Sequence, residues 1–344
     1  MWRAVFLLVV CTLSVVSHAS GVSLTANELA VVVNDADPLS VATADYYRRK
    51  RGIPPGNMIH VRVDANQSVM SAQDFLALRM DVKSRTPAHV QVYALTWVKP
   101  FRVECMSITT AFAAGFNRAF CSDGCKPTQL SPYFNSDSRR PFEDIGWRPT
   151  MSLAALDIEH ARELIDRGAA AGGSAAIGKA YLLQTDDGPR NVRALTYADA
   201  KSMVGSQIDV QVTHAPALRD KPDVMFYFIG AARVEELGTN RFLPGAVADH
   251  LTSFGGDLTG TSQMSSLRWL EAGATGSYGT VVEPCNLLGK FPNVGLLMRR
   301  YLDGETLLEA YWKSVAMPGQ GLFIGDPLAR PYRARAAGSL VSSW

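Results

Sequence analysis

The stretch Ala272-Gly-Ala-Thr-Gly-Ser-Tyr-Gly-Thr-Val-Val-Glu-Pro-Cys285 reads as a buried strand, Gly276 to Val282, that runs out into a polar cluster at Glu283, Pro284, Cys285 and Asn286. Just before it lies a partner segment, Gly245-Ala-Val-Ala-Asp-His-Leu-Thr-Ser-Phe-Gly-Gly256, with the same character. Open α/β sheets receive their ligands at the carboxyl ends of such strands. One wall of any active site is therefore expected where these two segments end.

Working outward, the rest of the chain supplies the same kind of sheet. Leu29 to Val33 is a continuous β-rich apolar run, the pattern of a strand covered on both faces, and Asn34-Asp-Ala-Asp-Pro38 breaks it. A helix capped by Ser40 is expected through Arg51, with Gly52 as its stop. Met58 to Val63 is a second strand. Ser71-Ala-Gln-Asp74 resembles a capping box that opens a helix carrying Phe75, Leu76, Leu78 and Val82, and His89 to Trp97 is a third strand. Further strands are expected at Lys179–Leu183, Asp209–Val212, Val224–Ile229 and Leu322–Ile324, and helices at Asp157–Ala171, Tyr197–Val204, Ser265–Glu271, Asn293–Tyr301 and Glu305–Ser314. Strands alternating with helices at this spacing predict an α/β fold, a mostly parallel sheet with helices on both faces. Residues 20–335 form the predicted α/β domain, either single or as two packed halves, 28–98 and 150–335, around an insert at 99–149; residues 336–344 are a tail.

Composition places the chain in a compartment. Hydrophobic residues are 47% and charged residues 19% of the 344, enough for a large core. Met1-Trp-Arg3, the apolar run Ala4 to Val16 and Ser17-His-Ala19 make a secretory signal over residues 1–19, too short in its apolar part to span a bilayer. An exported protein, in a bacterial periplasm or outside the cell, is expected. The net charge of +2 carries one contribution from Arg3 in that leader, so the mature chain is near +1, which leaves no footprint for nucleic acid. The basic run Arg330-Pro-Tyr-Arg-Ala-Arg335 reads as a solvated tail.

In an oxidising compartment the four mature cysteines, Cys105, Cys121, Cys125 and Cys285, are disulfide candidates. Three lie close together, so either Cys285 bridges back to that cluster or at least two thiols stay free. A zinc site built on Cys105, Cys121 and Cys125 is the alternative, without the paired C-x-x-C spacing. The insert they occupy has no sustained period and reads as a disulfide-tied loop or lobe, facing substrate or purely structural.

The residues offer little further chemistry. Cys285 and His250 can be drawn as a nucleophile and base, with Glu283 or Asp249 orienting the imidazole. Asp186-Asp-Gly188 at a strand end has metal-ligand residue types, and is also an ordinary turn sequence. No glycine pattern matches a nucleotide loop, and no cofactor is expected.

The set Tyr46-Tyr47, Arg51-Gly-Ile-Pro54, Arg148-Pro-Thr150, Pro244-Gly-Ala246, Gly273-Ala-Thr-Gly276 with Glu283-Pro284, Glu309-Ala310 and Gly325-Asp-Pro-Leu328 resembles a family of uncharacterised exported bacterial proteins found in species with the exosortase protein-sorting system. The order of strands is also similar, more distantly, to gingipain-like and caspase-like cysteine peptidases. There, strand ends corresponding to Phe228-Ile-Gly-Ala-Ala232 and Leu251-Thr-Ser-Phe-Gly-Gly256 carry the catalytic His and Cys. This chain has neither residue at those positions. The resemblance implies a caspase-like α/β protein without catalysis, binding a protein or envelope component in surface assembly. The alternative is a cysteine peptidase or hydrolase that uses Cys285 and His250.

Overall fold

The computed structural model describes residues 23–122, 125–172 and 178–333. The signal segment 1–19 and the tail 336–344 lie outside the described residues. Among the described residues there are thirteen strands: β1 Leu29–Asn34, β2 Met58–Val61, β3 Val69–Met70, β4 Val92–Leu95, β5 Arg102–Val103, β6 Met106–Ser107, β7 Thr150–Ser152, β8 Lys179–Gln184, β9 Asp209–His214, β10 Val224–Gly230, β11 Phe242–Leu251, β12 Gly276–Thr280 and β13 Gly321–Gly325. Ten of them form one sheet in the order β2-β1-β4-β7-β13-β12-β11-β10-β8-β9, flanked by helices. β1 and β10 are buried along their whole length, as their unbroken apolar sequences require.

Within that sheet every pairing is parallel except β12 with β13, whose register runs Gly276 opposite Gly325 to Thr280 opposite Gly321. The sheet is thus two parallel blocks running in opposite directions, joined at one antiparallel seam. The carboxyl ends of β8, β10, β11 and β12 form a crest on one edge, and those of β1, β2, β4 and β7 lie on the other.

The helices keep their predicted places with local corrections. The first spans Pro38–Arg51 and is capped by Asp37, whose carboxylate accepts from Leu39 N at 3.0 Å. Pro38 presets the first helical turn, and Ser40, expected to be the cap, is instead buried inside it, accepting from Asn34 N and sharing a hydrogen bond with Thr96. Gly52 ends the helix at φ 67°, a left-handed stop. Ser71 caps Ala72–Arg85 by accepting from Asp74 N, and Asp157 caps Ile158–Ala170 by accepting from His160 N. Val294–Leu302 and Leu307–Ser314 follow, the latter with a full Thr306–Glu309 capping box.

The insert is more ordered than its sequence suggests. β5 pairs with β3 on one side and β6 on the other in a second, three-stranded sheet, and Ser107 caps a helix over Ile108–Ala114. Val103, Met106, Ile108, Ala111, Phe112 and Tyr133 are buried in the main core. The elements are two to seven residues long, too short to show a period.

The residues that carry the exosortase-family resemblance fall at joints of this scaffold. Asp326, fully buried just after β13, accepts from Arg51 Nε at 3.0 Å and from the Tyr47 hydroxyl at 3.0 Å, tying the first helix to the last strand. Gly168, on the helix Ile158–Ala170, faces that carboxylate so closely that a Cβ there would overlap it. Arg148 Nε donates to Val90 O, with its guanidinium 3.2 Å from the centre of the Phe142 ring. Gly245 at φ 91° receives the Tyr301 hydroxyl on its carbonyl. Glu309, besides capping its helix, accepts from Ser23 Oγ at 2.9 Å.

Candidate functional site

The crest of the second block is where the sequence reading expects one wall of any active site. β11 ends in Asp249, His250 and Leu251, and successive residues of a strand point to opposite faces of the sheet. Asp249 faces one side and His250 the other, so Asp249 cannot orient the His250 ring.

On its own face, His250 is 2% exposed. Its Nδ1 accepts from the Trp269 indole N–H at 2.9 Å, so the ring proton sits on Nε2, which donates to Met264 O at 3.0 Å. Both nitrogens are taken, and burial pushes the imidazole pKa down to about 4. On the other face Asp249 meets Arg193, 2.6 Å away and 2% exposed. The charges touch off the hydrogen-bond axis, leaving Arg193 Nη1 and both Asp249 carboxylate oxygens without an aligned partner. Arg193 Nη2 donates to Ile229 O and Asp249 O and lies over the Phe228 ring. Burial pulls the Asp249 pKa up while Arg193 opposes it.

Cys285 forms a disulfide with Cys125, with Cα atoms 5.1 Å apart, and Cys105 bridges Cys121 at 5.4 Å, both inside the usual range. Glu283 is exposed and accepts from Cys285 N at 2.8 Å, closing its own turn. The geometry does not assemble the alternative Cys285–His250 dyad, on three counts. The sulfur is bonded to Cys125, the imidazole is sealed between Trp269 and Met264, and Glu283 and Asp249 are each committed to a different partner. The disulfides likewise use the three cysteines drawn as zinc ligands, and among the described residues no group of three or more His, Cys, Asp or Glu is arranged to hold a metal ion.

The two strand ends that the resemblance sets beside peptidase sites are held by backbone contacts. Ala232 O receives Met264 N, and Ser253 O receives the Thr280 hydroxyl at 2.8 Å. Gly256 lies so near Gly279 that a Cβ on it would come 2.6 Å from the Gly279 carbonyl oxygen. These glycines let two backbone segments touch. Asp186 and Asp187, the acids after β8, pair with His214 and Arg190 in an ordinary turn.

An opening of about 450 Å³ lies on the opposite edge, beside β2 and the helix Ala72–Arg85. Its acids Asp74 and Asp81 are committed to Ser71 and Arg85. At the crest a smaller cavity of about 150 Å³ is lined by Phe134, Leu288, Phe291, Pro292 and Ala316, with Arg193 at its wall.

Two groups at the crest escape sequence reading. Arg193 lies in a short 3₁₀ segment with no motif, and its burial depends on Asp249, 56 residues away. Lys290 sits in Leu-Leu-Gly-Lys-Phe, where a lysine reads as solvated, yet its side chain is buried against Ser122 of the insert. Among the described residues no helix is long and apolar enough to cross a membrane. Compared with protein-family models, curated proteins and solved structures, the chain finds no match.

Proposed function

We propose that this is an exported, caspase-like α/β protein that binds a protein or envelope component at the crest of its second strand block, in surface assembly of the exosortase-associated kind, and that it does not work as a cysteine peptidase. The observation that carries this reading is the state of Cys285. A cysteine nucleophile must be a thiolate within reach of a base, whereas this sulfur is bonded to Cys125 and His250 has no free nitrogen. Two disulfides also suit an oxidising, extracytoplasmic compartment. The motif residues of the exosortase-associated family support a scaffold role, since Tyr47, Arg51, Gly245, Glu309 and Asp326 all serve joints between elements.

The test is a thiol map of the exported protein, alkylated without reduction across a range of pH and read by mass spectrometry. Cys285 and Cys125 are expected to stay unlabelled until reductant is added. Fast labelling of Cys285 below the free-thiol pKa of about 8.5, slowed by His250→Ala, would overturn the reading in favour of the cysteine hydrolase.

A further inference from the structure

Burying a lysine ammonium leaves three strong donors to satisfy, and the two fully buried lysines of this chain meet that demand differently. Lys313 Nζ donates to the Glu305 carboxylate at 3.1 Å. Lys290 is as deeply buried, but among the described residues no carboxylate lies within ion-pair distance of it. Its Nζ is 2.8 Å from Ser122 Oγ. Desolvation lowers its pKa, only partly opposed by the charge of Glu283. An amine whose charged form is disfavoured by burial, at hydrogen-bond distance from a hydroxyl, is placed to act as that hydroxyl's base.

The position is built. Ser122 follows Cys121, which is bridged to Cys105, and precedes Cys125, which is bridged to Cys285. Two residues upstream, the Phe120 carbonyl accepts from Gln320 Nε2 at 2.6 Å and lies hard against Gly319, where a Cβ would overlap it. On the other side, the Lys290 carbonyl accepts the Tyr278 hydroxyl at 2.5 Å, which fixes the lysine backbone to β12. Ser122 is half-buried and Lys290 is wholly buried. Both stand beyond the carboxyl end of β12, where an open α/β sheet takes its ligand.

We propose that Ser122 and Lys290 form a serine–lysine nucleophile and base for acyl transfer, acting on an ester or amide. Lys290 Nζ takes the Ser122 proton as Oγ bonds to the substrate carbonyl carbon. The bond from that carbon to the leaving oxygen or nitrogen breaks, and the leaving group departs with the proton from Lys290. Water then attacks the Ser122 ester, giving its proton to Lys290, and the acid product leaves as the proton returns to Ser122. The balance is one acyl compound and one water to one acid and one alcohol or amine. This chemistry uses neither cysteine nor histidine and holds whichever partner the crest binds.

The experiment uses the exported, disulfide-intact protein, a fluorophosphonate probe and p-nitrophenyl butyrate. Ser122 is expected to carry the phosphonyl adduct by peptide mass spectrometry, with a labelling rate that climbs and levels off below the ordinary lysine pKa of about 10.4. Lys290→Met, which keeps the packing volume, is expected to slow labelling and ester turnover at least about 100-fold, and Ser122→Ala to abolish both. The proposal falls if Ser122 stays unlabelled in the folded protein, or if folded Lys290→Met labels at the wild-type rate. Should Lys290→Met not fold, the wild-type pH profile and the Ser122→Ala turnover decide: a flat profile, or turnover unchanged by Ser122→Ala, sinks it. These outcomes are independent of the thiol map.

Discussion

Replacing Asp326 with alanine tests whether the two ends of the fold are held together by charge. Its carboxylate is fully buried and receives Arg51 Nε at 3.0 Å and the Tyr47 hydroxyl at 3.0 Å, while the Arg51 side chain is 14% exposed. Asp326→Ala leaves that guanidinium largely out of water with no counter-charge and also orphans a buried phenol. Breaking a buried pair from one side costs about 3–5 kcal/mol. At an unfolding entropy of roughly 2.1 cal/mol/K per residue, a folded domain of this size would lose about 5–8 °C in Tm. Arg51→Met alone should cost a similar amount by stranding Asp326, whereas the double variant should recover part of the loss, giving a coupling energy of at least about 1 kcal/mol. Gly168→Ala should reproduce much of the effect without touching a charge, because its new methyl would occupy the carboxylate's place. Lys50→Ala, which removes an exposed pair with Asp166, is the control and should stay within about 0.5 kcal/mol. Urea unfolding followed by tryptophan fluorescence reads all five. If Asp326→Ala costs less than about 1 kcal/mol, or if the double variant is simply additive, the reasoning about this joint is wrong.

Three further predictions concern the crest. His250 is neutral in the fold with a pKa of about 4 and titrates near 6.5 when unfolded. The unfolded chain therefore binds the extra proton between those values, so stability is full above pH 6.5 and falls as pH drops toward 4; by linkage the loss from pH 7 to pH 5 is about 2 kcal/mol. His250→Gln should remove that part of the slope in urea titrations at the two pH values. The disulfides should contribute in proportion to the loops they close. With separations of 160 and 16 residues, the paired serine variants of Cys125–Cys285 and Cys105–Cys121 should lose about 5 and about 3 kcal/mol, and an order reversed in guanidinium unfolding would contradict the entropic account. Finally, Arg193→Met should cost about 3–5 kcal/mol by stranding Asp249, and Arg193→Met with Asp249→Leu should be markedly more stable than Arg193→Met alone, as differential scanning calorimetry would show.

Much of the architecture is legible in local pattern. Leu29 to Val33 and Val224 to Ile229 are strands because a run of β-branched and aromatic residues has nowhere to go but between two covered faces. Gly52, Ser71 and Asp157 mark helix ends through backbone chemistry that acts within four residues. Ser40 shows the limit. As a residue type it can cap, but Asp37 and Pro38 lie upstream, and Ser40 is drawn inward to Asn34 and Thr96. The site was less readable. Cys285, His250, Glu283 and Asp249 do gather near one sheet edge, yet strand alternation turns Asp249 and His250 to opposite faces, and Trp269 and Met264 close the imidazole.

By itself the sequence determined most of the longer strands and helices outside the insert, that the core is large, and that Cys285 either reaches back to the insert or leaves thiols free. These follow from periodicity, caps and parity, all properties of neighbouring residues or of counts. Only the tertiary structure decided that the sheet reverses direction between β12 and β13, that Cys285 chooses Cys125, that Asp326 meets Arg51 across 275 positions, and that Lys290 is buried on Ser122. Each of those is a meeting of residues far apart in the chain. Its energy comes from desolvating two groups together, and that term does not exist until the fold brings them into contact.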